Sequence, residues 1–331
     1  MKGARIEYYD FLRGIAIIMV VGIHTFVAHP IDTYLGFGSM MARQMLNCAV
    51  PVFLALSGLF CGRKILDSKE ARIGFWKKQI PKVYIPALIW SLLCIVQDAM
   101  SDNINGIFIA KQLVWLFVCG SSIYYFIALI IQYYLLLPIL QKYKAIMMPL
   151  SVVVSLSSIV LITYVSQIQG VFLPLIIYAG PFTTWFVFFM LGVYYATSTV
   201  KDSVKYSILI GIAGLIFSFV ETYWQNVNFG EGYGIKFSSY IYSIGVVMFL
   251  LTPKMKTRYK SNKLTSLIAY IGSISFGIYL IHCFFIPLVK HVLPVHSWVL
   301  SWAIVLMITS LVIMVARKVL PQKVNKYLGF L

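Results

Sequence analysis

Ten apolar runs, each about as long as a membrane-spanning helix, divide this 331-residue chain and leave it few folds to choose from. A helix needs about 20 apolar residues to cross the ~30 Å hydrocarbon core. With no water there to satisfy the backbone, only helices and closed barrels can span it. The runs lie at roughly 11–29, 46–62, 83–100, 122–141, 147–166, 180–197, 206–223, 237–252, 267–289 and 298–316. Only 11% of the residues are charged and mean hydropathy is +0.88, whereas soluble domains carry about 25% charged residues. The predicted fold is therefore all-α: a polytopic integral membrane protein with about ten transmembrane helices, forming one membrane domain over residues 1–331. Segment 104–121 is apolar but contains Lys111, and reads as interfacial or re-entrant rather than as a span.

The loops orient the runs. With the N-terminus in the cytoplasm and strict alternation, inner segments hold 22 of the 27 lysines and arginines, while outer segments hold Arg43, Lys111, Lys236 and Lys290. Positive residues collect on the cytoplasmic side of membrane proteins, so the bias predicts both termini inside. A missed or extra span would scramble it. The net charge of +17 then reports topology and contact with anionic lipid, not nucleic acid. The five cysteines have no metal-ligand spacing, and their odd number argues against a full disulfide framework. They read as small buried hydrophobes. Lys2 and Arg5 before the first run look like the start of a signal peptide. That run is too long for a signal core and contains Arg13, so it is expected to be retained. Pro51, Pro81, Pro86, Pro138, Pro181 and Pro253 are expected at or near helix ends.

The first run stands apart because it carries Arg13 and His24. An ionisable side chain inside a spanning helix costs roughly 2.5 kcal/mol or more and normally faces protein or a wet cavity. Eleven residues at 100° each make about three turns, so both side chains share one helical face, ~16 Å apart along the axis. Two readings stand: a functional polar stripe, or an arginine that snorkels to the headgroups and a histidine that packs against a neighbouring helix. Asp10, three residues before Arg13, is placed either to pair with it or to cap the helix start.

The stretch Tyr8 to Phe26, YYDFLRGIAIIMVVGIHTF, resembles the first helix of the membrane-bound acyltransferase family 3. That family opens on an aromatic-Asp-x-Leu-Arg-Gly start and carries an Arg-x10-His pair. The likeness continues more weakly along the chain. Val50 to Gly58 (VPVFLALSG) is similar to a family Val-Pro-x-Phe-x-x-x-Ser-Gly segment; Ser57 and Gly58 read as packing residues there. In residues 75–86 the family shows Arg-x-x-Arg shortly before a proline. Aligned on Pro86, those arginines become Gln79 and Lys82 here, and lysine offers a point charge in place of a planar fork. Tyr124-Tyr125-Phe126 stands where the family has a tryptophan-type cluster. Both tyrosines read as interfacial aromatics, and Gln132 further along that helix as an intramembrane group facing the cavity. Ser275 to Cys283 (SFGIYLIHC) resembles a late helix with a Gly-x-Tyr-x-x-His run, which puts Tyr279 and His282 on one face.

The resemblance implies transfer of an acyl group, usually acetyl, from a cytoplasmic thioester such as acetyl-CoA to a hydroxyl of an extracytoplasmic cell-envelope glycan or lipid-linked sugar. Arg13 would orient the donor, and His24 would act as general base or transient acyl carrier. Asp10, Tyr279 and His282 would support them. Lys78, Gln79 and Lys82 would hold the donor phosphates; without the resemblance that cluster is an ordinary positive-inside loop. The acyl-CoA is a substrate rather than a resident cofactor, and no metal is expected. A transporter or exporter of a polysaccharide or its precursor is the alternative, although such proteins more often show broken helices in matching halves. A binding or sensor protein of the same fold is a third reading. Asp32, Asp98 and Glu221 sit near outer helix ends. His29, His291 and His296 read as solvated loop histidines.

Overall fold

The computed structural model describes residues 6–101, 106–119, 122–198, 203–230, 232, 234–292 and 297–331. They form sixteen α-helices: α1 (Glu7–His24), α2 (Tyr34–Met45), α3 (Ala49–Gly62), α4 (Lys69–Ser101), α5 (Gly106–Phe117), α6 (Tyr125–Lys142), α7 (Lys144–Thr163), α8 (Leu175–Ala179), α9 (Phe182–Thr197), α10 (Val204–Phe229), α11 (Phe237–Leu251), α12 (Pro253–Arg258), α13 (Lys263–Ser273), α14 (Ser275–Val292), α15 (Trp298–Val319) and α16 (Gln322–Tyr327). No strand occurs among the described residues.

Among the described residues seven helical stretches are long and apolar enough to cross a membrane: Tyr34–Gly62, Lys69–Val96, Tyr125–Lys142, Lys144–Ile168, Leu175–Thr197, Val204–Phe229 and Trp298–Val319. The bent pair α13–α14 makes an eighth if counted as one span. The chain is thus an all-helical, multi-pass membrane protein. Two further expected runs are helical but atypical. The 18 residues of α1 carry Glu7, Asp10 and Arg13, and the 15 residues of α11 measure ~22 Å. Helices α7, α10 and α15 turn Val153, Val160, Leu209, Ile216, Met307 and Leu311 outward. An apolar surface of this extent fits hydrocarbon, not water.

Several boundaries differ from the sequence reading. The first helix was expected over 11–29 but stops at His24, where the Thr25 hydroxyl donates to Val21 O at 2.9 Å and occupies a last-turn carbonyl. Pro81, Pro86 and Pro138 lie inside helices, not at their ends. Their lost backbone bonds are tolerable where neighbouring helices pack around them. Consequently α4 starts at Lys69 and runs for 33 residues, with Lys77 to Lys82 in its body instead of in a loop. The expected 267–289 span is two helices meeting at 77° around Ile274. Segment 104–121 contains α5, whose 12 residues cover ~18 Å, too short to cross. It returns along α4, where the Tyr84 hydroxyl donates to Phe117 O at 2.9 Å.

Closely packed seams fix the bundle. A methyl group at Gly58 would strike the Phe189 carbonyl, and one at Gly192 the Ala55 carbonyl, so α3 and α9 touch backbone to backbone. Gly14 meets the Ile268 carbonyl and Gly272 the Asp10 carbonyl in the same way, locking α1 to α13. Without a hydrophobic driving force between helices in lipid, such small-residue contacts are what helix association rests on. The break between α8 and α9 is satisfied internally. Gln132 Nε2 donates to Gly180 O at 2.8 Å, its Oε1 accepts from Phe182 N at 3.1 Å, and the Tyr133 hydroxyl donates to Phe182 O at 2.7 Å. Gln132 therefore repairs backbone and does not face a cavity. Tyr124 is likewise fully buried, its hydroxyl donating to Leu280 O at 2.7 Å, and is not interfacial.

Candidate active site

The helices line a partly open cavity of about 600 Å³. It lies between two hydrophobic clusters, one built largely on α3, α6 and α9, the other on α1, α14 and α15. Phe53 and Phe126 pack against both clusters and form part of the wall. Arg13 lines one end, with Gly272, Ser273 and Ser275 from the α13–α14 bend, Val83 of α4 and Leu331. His24 lines the other end, with Arg43, Asn47, Gly234 and Ile235. One helical face of α1 thus runs along the cavity from arginine to histidine.

Both groups are held in place. Arg13 Nη1 donates to Asp10 Oδ1 at 3.1 Å, and its guanidinium lies 4.6 Å from the centre of the Phe60 ring. Asp10 is 5% exposed and sits within α1, whose N-cap is Ile6; the ion pair is present and the capping role is not. Charge and cation–π contacts together restrict the planar fork to one orientation. α1 itself is braced by α15. Trp302 Nε1 donates to Ile18 O at 2.7 Å and Trp298 Nε1 to Gly22 O at 2.9 Å.

His24 is the last residue of α1 and its side chain is accessible from the cavity. No described group hydrogen-bonds its ring nitrogens, one of which lies toward His282 and Cys283. His282 lies directly behind it, with ring centroids 5.2 Å apart. His282 is fully buried and does not reach the cavity. Its Nδ1 lies 3.0 and 2.9 Å from the Ile278 and Tyr279 carbonyls. Carbonyls only accept, so Nδ1 carries the proton. Nε2 is left facing Cys283 Sγ at 3.5 Å. The ring and thiol atoms of His24, His282 and Cys283 all fall within 4.8 Å of one another. Among the described residues this is the grouping whose donor types suit a soft divalent metal. Tyr279 does line the cavity, and its hydroxyl donates to Ile123 O at 2.6 Å.

The structure sets Arg13, His24 and Tyr279 on one cavity, with Asp10 behind Arg13 and His282 behind His24, but leaves Lys78, Gln79 and Lys82 outside it. Lys78 and Lys82 are exposed on α4. Lys82 lies within electrostatic reach of Lys78, Lys326 and Lys64, so these cations form one basic surface beside the Arg13 end. Ser57 lines the cavity while donating to Phe53 O at 2.8 Å. Glu221 is engaged structurally, its Oε2 accepting from Ser238 N at 2.8 Å. Asp32 is exposed and off the cavity. The side chains of Asp98, His291 and His296 lie outside the described residues. Sequence reasoning missed Arg43 and Asn47, counting Arg43 only as an outer-loop charge. Their i, i+4 spacing just ahead of an apolar run was the available signal.

A helical membrane protein whose interior presents an arginine–carboxylate pair at one end and an unencumbered imidazole at the other has the parts of a membrane enzyme for group transfer. The family model described as an acyltransferase domain matches residues 6–317, nearly the whole chain, and the protein belongs to that family, acyltransferase family 3. No curated protein and no solved structure matches it.

Proposed function

We propose that the protein moves an acetyl group from cytoplasmic acetyl-CoA to a hydroxyl of an extracytoplasmic glycan or lipid-linked sugar, working from a bacterial plasma membrane with ten spans and both termini inside. The observation that carries this reading is one continuous cavity lined by Arg13 at one end and His24 at the other. The donor's phosphates lie against the basic surface of Lys64, Lys78, Lys82 and Lys326, and its acyl arm enters past Arg13. Arg13, oriented by Asp10 and Phe60, holds a donor oxygen in one position. At the far end His24 takes the proton of the acceptor hydroxyl as its oxygen attacks the thioester carbonyl. Collapse of the tetrahedral intermediate expels the thiolate of coenzyme A, which recovers the proton. The imidazole suits this work because its neutral form carries one ring nitrogen that can accept a proton. His282 stands behind His24 and keeps its ring from turning away, and Tyr279 shapes the wall between them.

A covalent variant, in which His24 carries the acetyl group before the acceptor arrives, uses the same residues. The test is incorporation of label from [¹⁴C]acetyl-CoA into envelope glycan in membranes with and without the protein. Label appearing only with the protein supports transfer. Glycan export without label supports the transporter reading instead.

A further inference from the structure

The His24 end of the cavity holds more positive charge than the chemistry above requires. Arg43 on α2 is 7% exposed and lines the cavity. Lys236, just before α11, is 1% exposed. Neither makes an ion pair among the described residues. Arg43 Nη1 donates to the Asn47 side-chain oxygen, and the guanidinium lies 6.0 Å from the Phe26 ring centre. Lys236 Nζ donates to the Gln44 side-chain oxygen and, at 2.9 Å, to Gly232 O. Gln44 Oε1 also accepts from Asn47 Nδ2 at 2.8 Å, which links the two cations through neutral amides. Among the described residues Glu221 acts on Lys236 electrostatically without bonding it, its oxygens taken by Ser238 N and Gln225 Nε2.

Holding cations in a protein interior costs several kcal/mol each unless a partner offsets it. An intramembrane arginine normally has an identifiable counter-ion. Here the carboxylate is missing from the described protein, while the guanidinium, with five donors of which one has a side-chain acceptor, opens onto the cavity beside His24. The two cations are also far apart in sequence, and α2, α10 and α11 must pack together to assemble them, so the site is built by the fold and not by one loop.

We infer that Arg43, with Asn47 beside it and Lys236 behind, binds an anionic group of the acceptor, a carboxylate or a phosphate ester, and thereby sets its hydroxyl against His24. This rests on the transferase reading and narrows it: the acceptor is an acidic or phosphorylated sugar. A guanidinium fork suits both groups because each offers two oxygens for paired hydrogen bonds.

The experiment measures acetyl transfer in proteoliposomes with [¹⁴C]acetyl-CoA inside and three acceptors outside: methyl glucoside, methyl glucuronoside and glucose 1-phosphate. A charge-assisted hydrogen bond predicts a KM at least about tenfold lower for one or both anions than for the neutral sugar. The carboxylate and phosphate arms identify which anion the site prefers. Arg43→Gln should raise KM for the preferred anion more than for methyl glucoside, collapsing the ratio, and Arg43→Lys should keep part of it. As a variant-free control, free glucuronate or inorganic phosphate should compete with the acceptor where glucose does not. Equal KM values for all three acceptors, or a fall in kcat of equal size on all of them in Arg43→Gln, would overturn the inference; the second result would assign Arg43 to the reacting oxygen. Transfer to none of the acceptors, with no competition by either anion against native glycan extract, overturns it also. Absence of label from native extract itself removes the transferase reading beneath it.

Discussion

Replacing Arg13 by lysine separates anchoring from catalysis. The guanidinium stands 3.1 Å from Asp10 and 4.6 Å from the Phe60 ring centre, and its side chain is 33% exposed. Removing one partner of a fully buried pair costs about 3–5 kcal/mol. Solvent on the arginine side screens the attraction and lowers that figure to about 1–2 kcal/mol for Arg13→Gln. Losing the Phe60 contact adds about 0.5–1 kcal/mol. Arg13→Lys keeps the charge facing Asp10, so its stability loss should stay below about 1 kcal/mol. Lysine cannot, however, rest a plane on Phe60, bond Asp10 and present a second edge to a substrate at once. If that second edge orients the donor, transfer should fall about 100-fold, or ~2.7 kcal/mol at the transition state. The assay pairs initial rates of acetyl transfer with thermal unfolding in detergent for wild type, Arg13→Lys, Arg13→Gln and Asp10→Asn. The expected order is Lys near wild type in melting but far below it in rate. Arg13→Lys with near-normal turnover would refute the reasoning and leave Arg13 an anchor, since lysine snorkels as well.

His24→Gln keeps hydrogen-bonding atoms but no basic nitrogen, so its rate should drop about 10²–10⁴-fold while the amount of membrane-inserted protein stays unchanged; substantial activity would make His24 a packing residue. Lys78→Ala with Lys82→Ala should raise the KM for acetyl-CoA more than it lowers kcat, read from initial rates across donor concentration; an unchanged KM returns the basic surface to topology alone. A cysteine placed within 253–263 should resist an impermeant thiol reagent in intact cells, and one at the exposed Asn228, within 224–236, should react; the opposite labelling contradicts ten spans with both termini inside.

Features fixed by local arithmetic could be read from the chain. Arg13 and His24 share a helical face because eleven residues close three turns, and the structure sets both on one cavity. Asp10 reaches Arg13 because three residues separate them on a helix. Boundaries were legible where a capping or breaking residue stood at the end, as with Pro181 ahead of α9 and Pro253 starting α12. They failed where tertiary packing overruled the local signal. Pro81 and Pro86 look like stops, yet α4 continues through them, supported by contacts such as Trp76 Nε1 to Tyr134 O at 2.8 Å. The bend at Ile274 comes two residues after Gly272, which packs on the α1 backbone at Asp10, a contact between residues some 260 positions apart. The meeting of Arg43 with Lys236 was out of reach for the same reason: no periodicity within α2 or α11 says that the two will face one another.

The seam between α1 and α13, together with the two tryptophans that grip α1 from α15, turns that helix into a length gauge. Gly14 and Gly272 leave no room for α1 to slide, and Trp298 and Trp302 hold its far half by the backbone. The ~16 Å rise from Arg13 to His24 is then a property of the peptide backbone and cannot be shortened by a loop closing. A molecule that must engage both ends has to bring that length with it. A thioester on a long flexible arm can do so, and one truncated close to the sulfur can touch only one end. Discrimination among donors would thus be made by reach before any contact with the acyl group itself, and lengthening α1 by one turn between the two residues would retune it by one helical pitch.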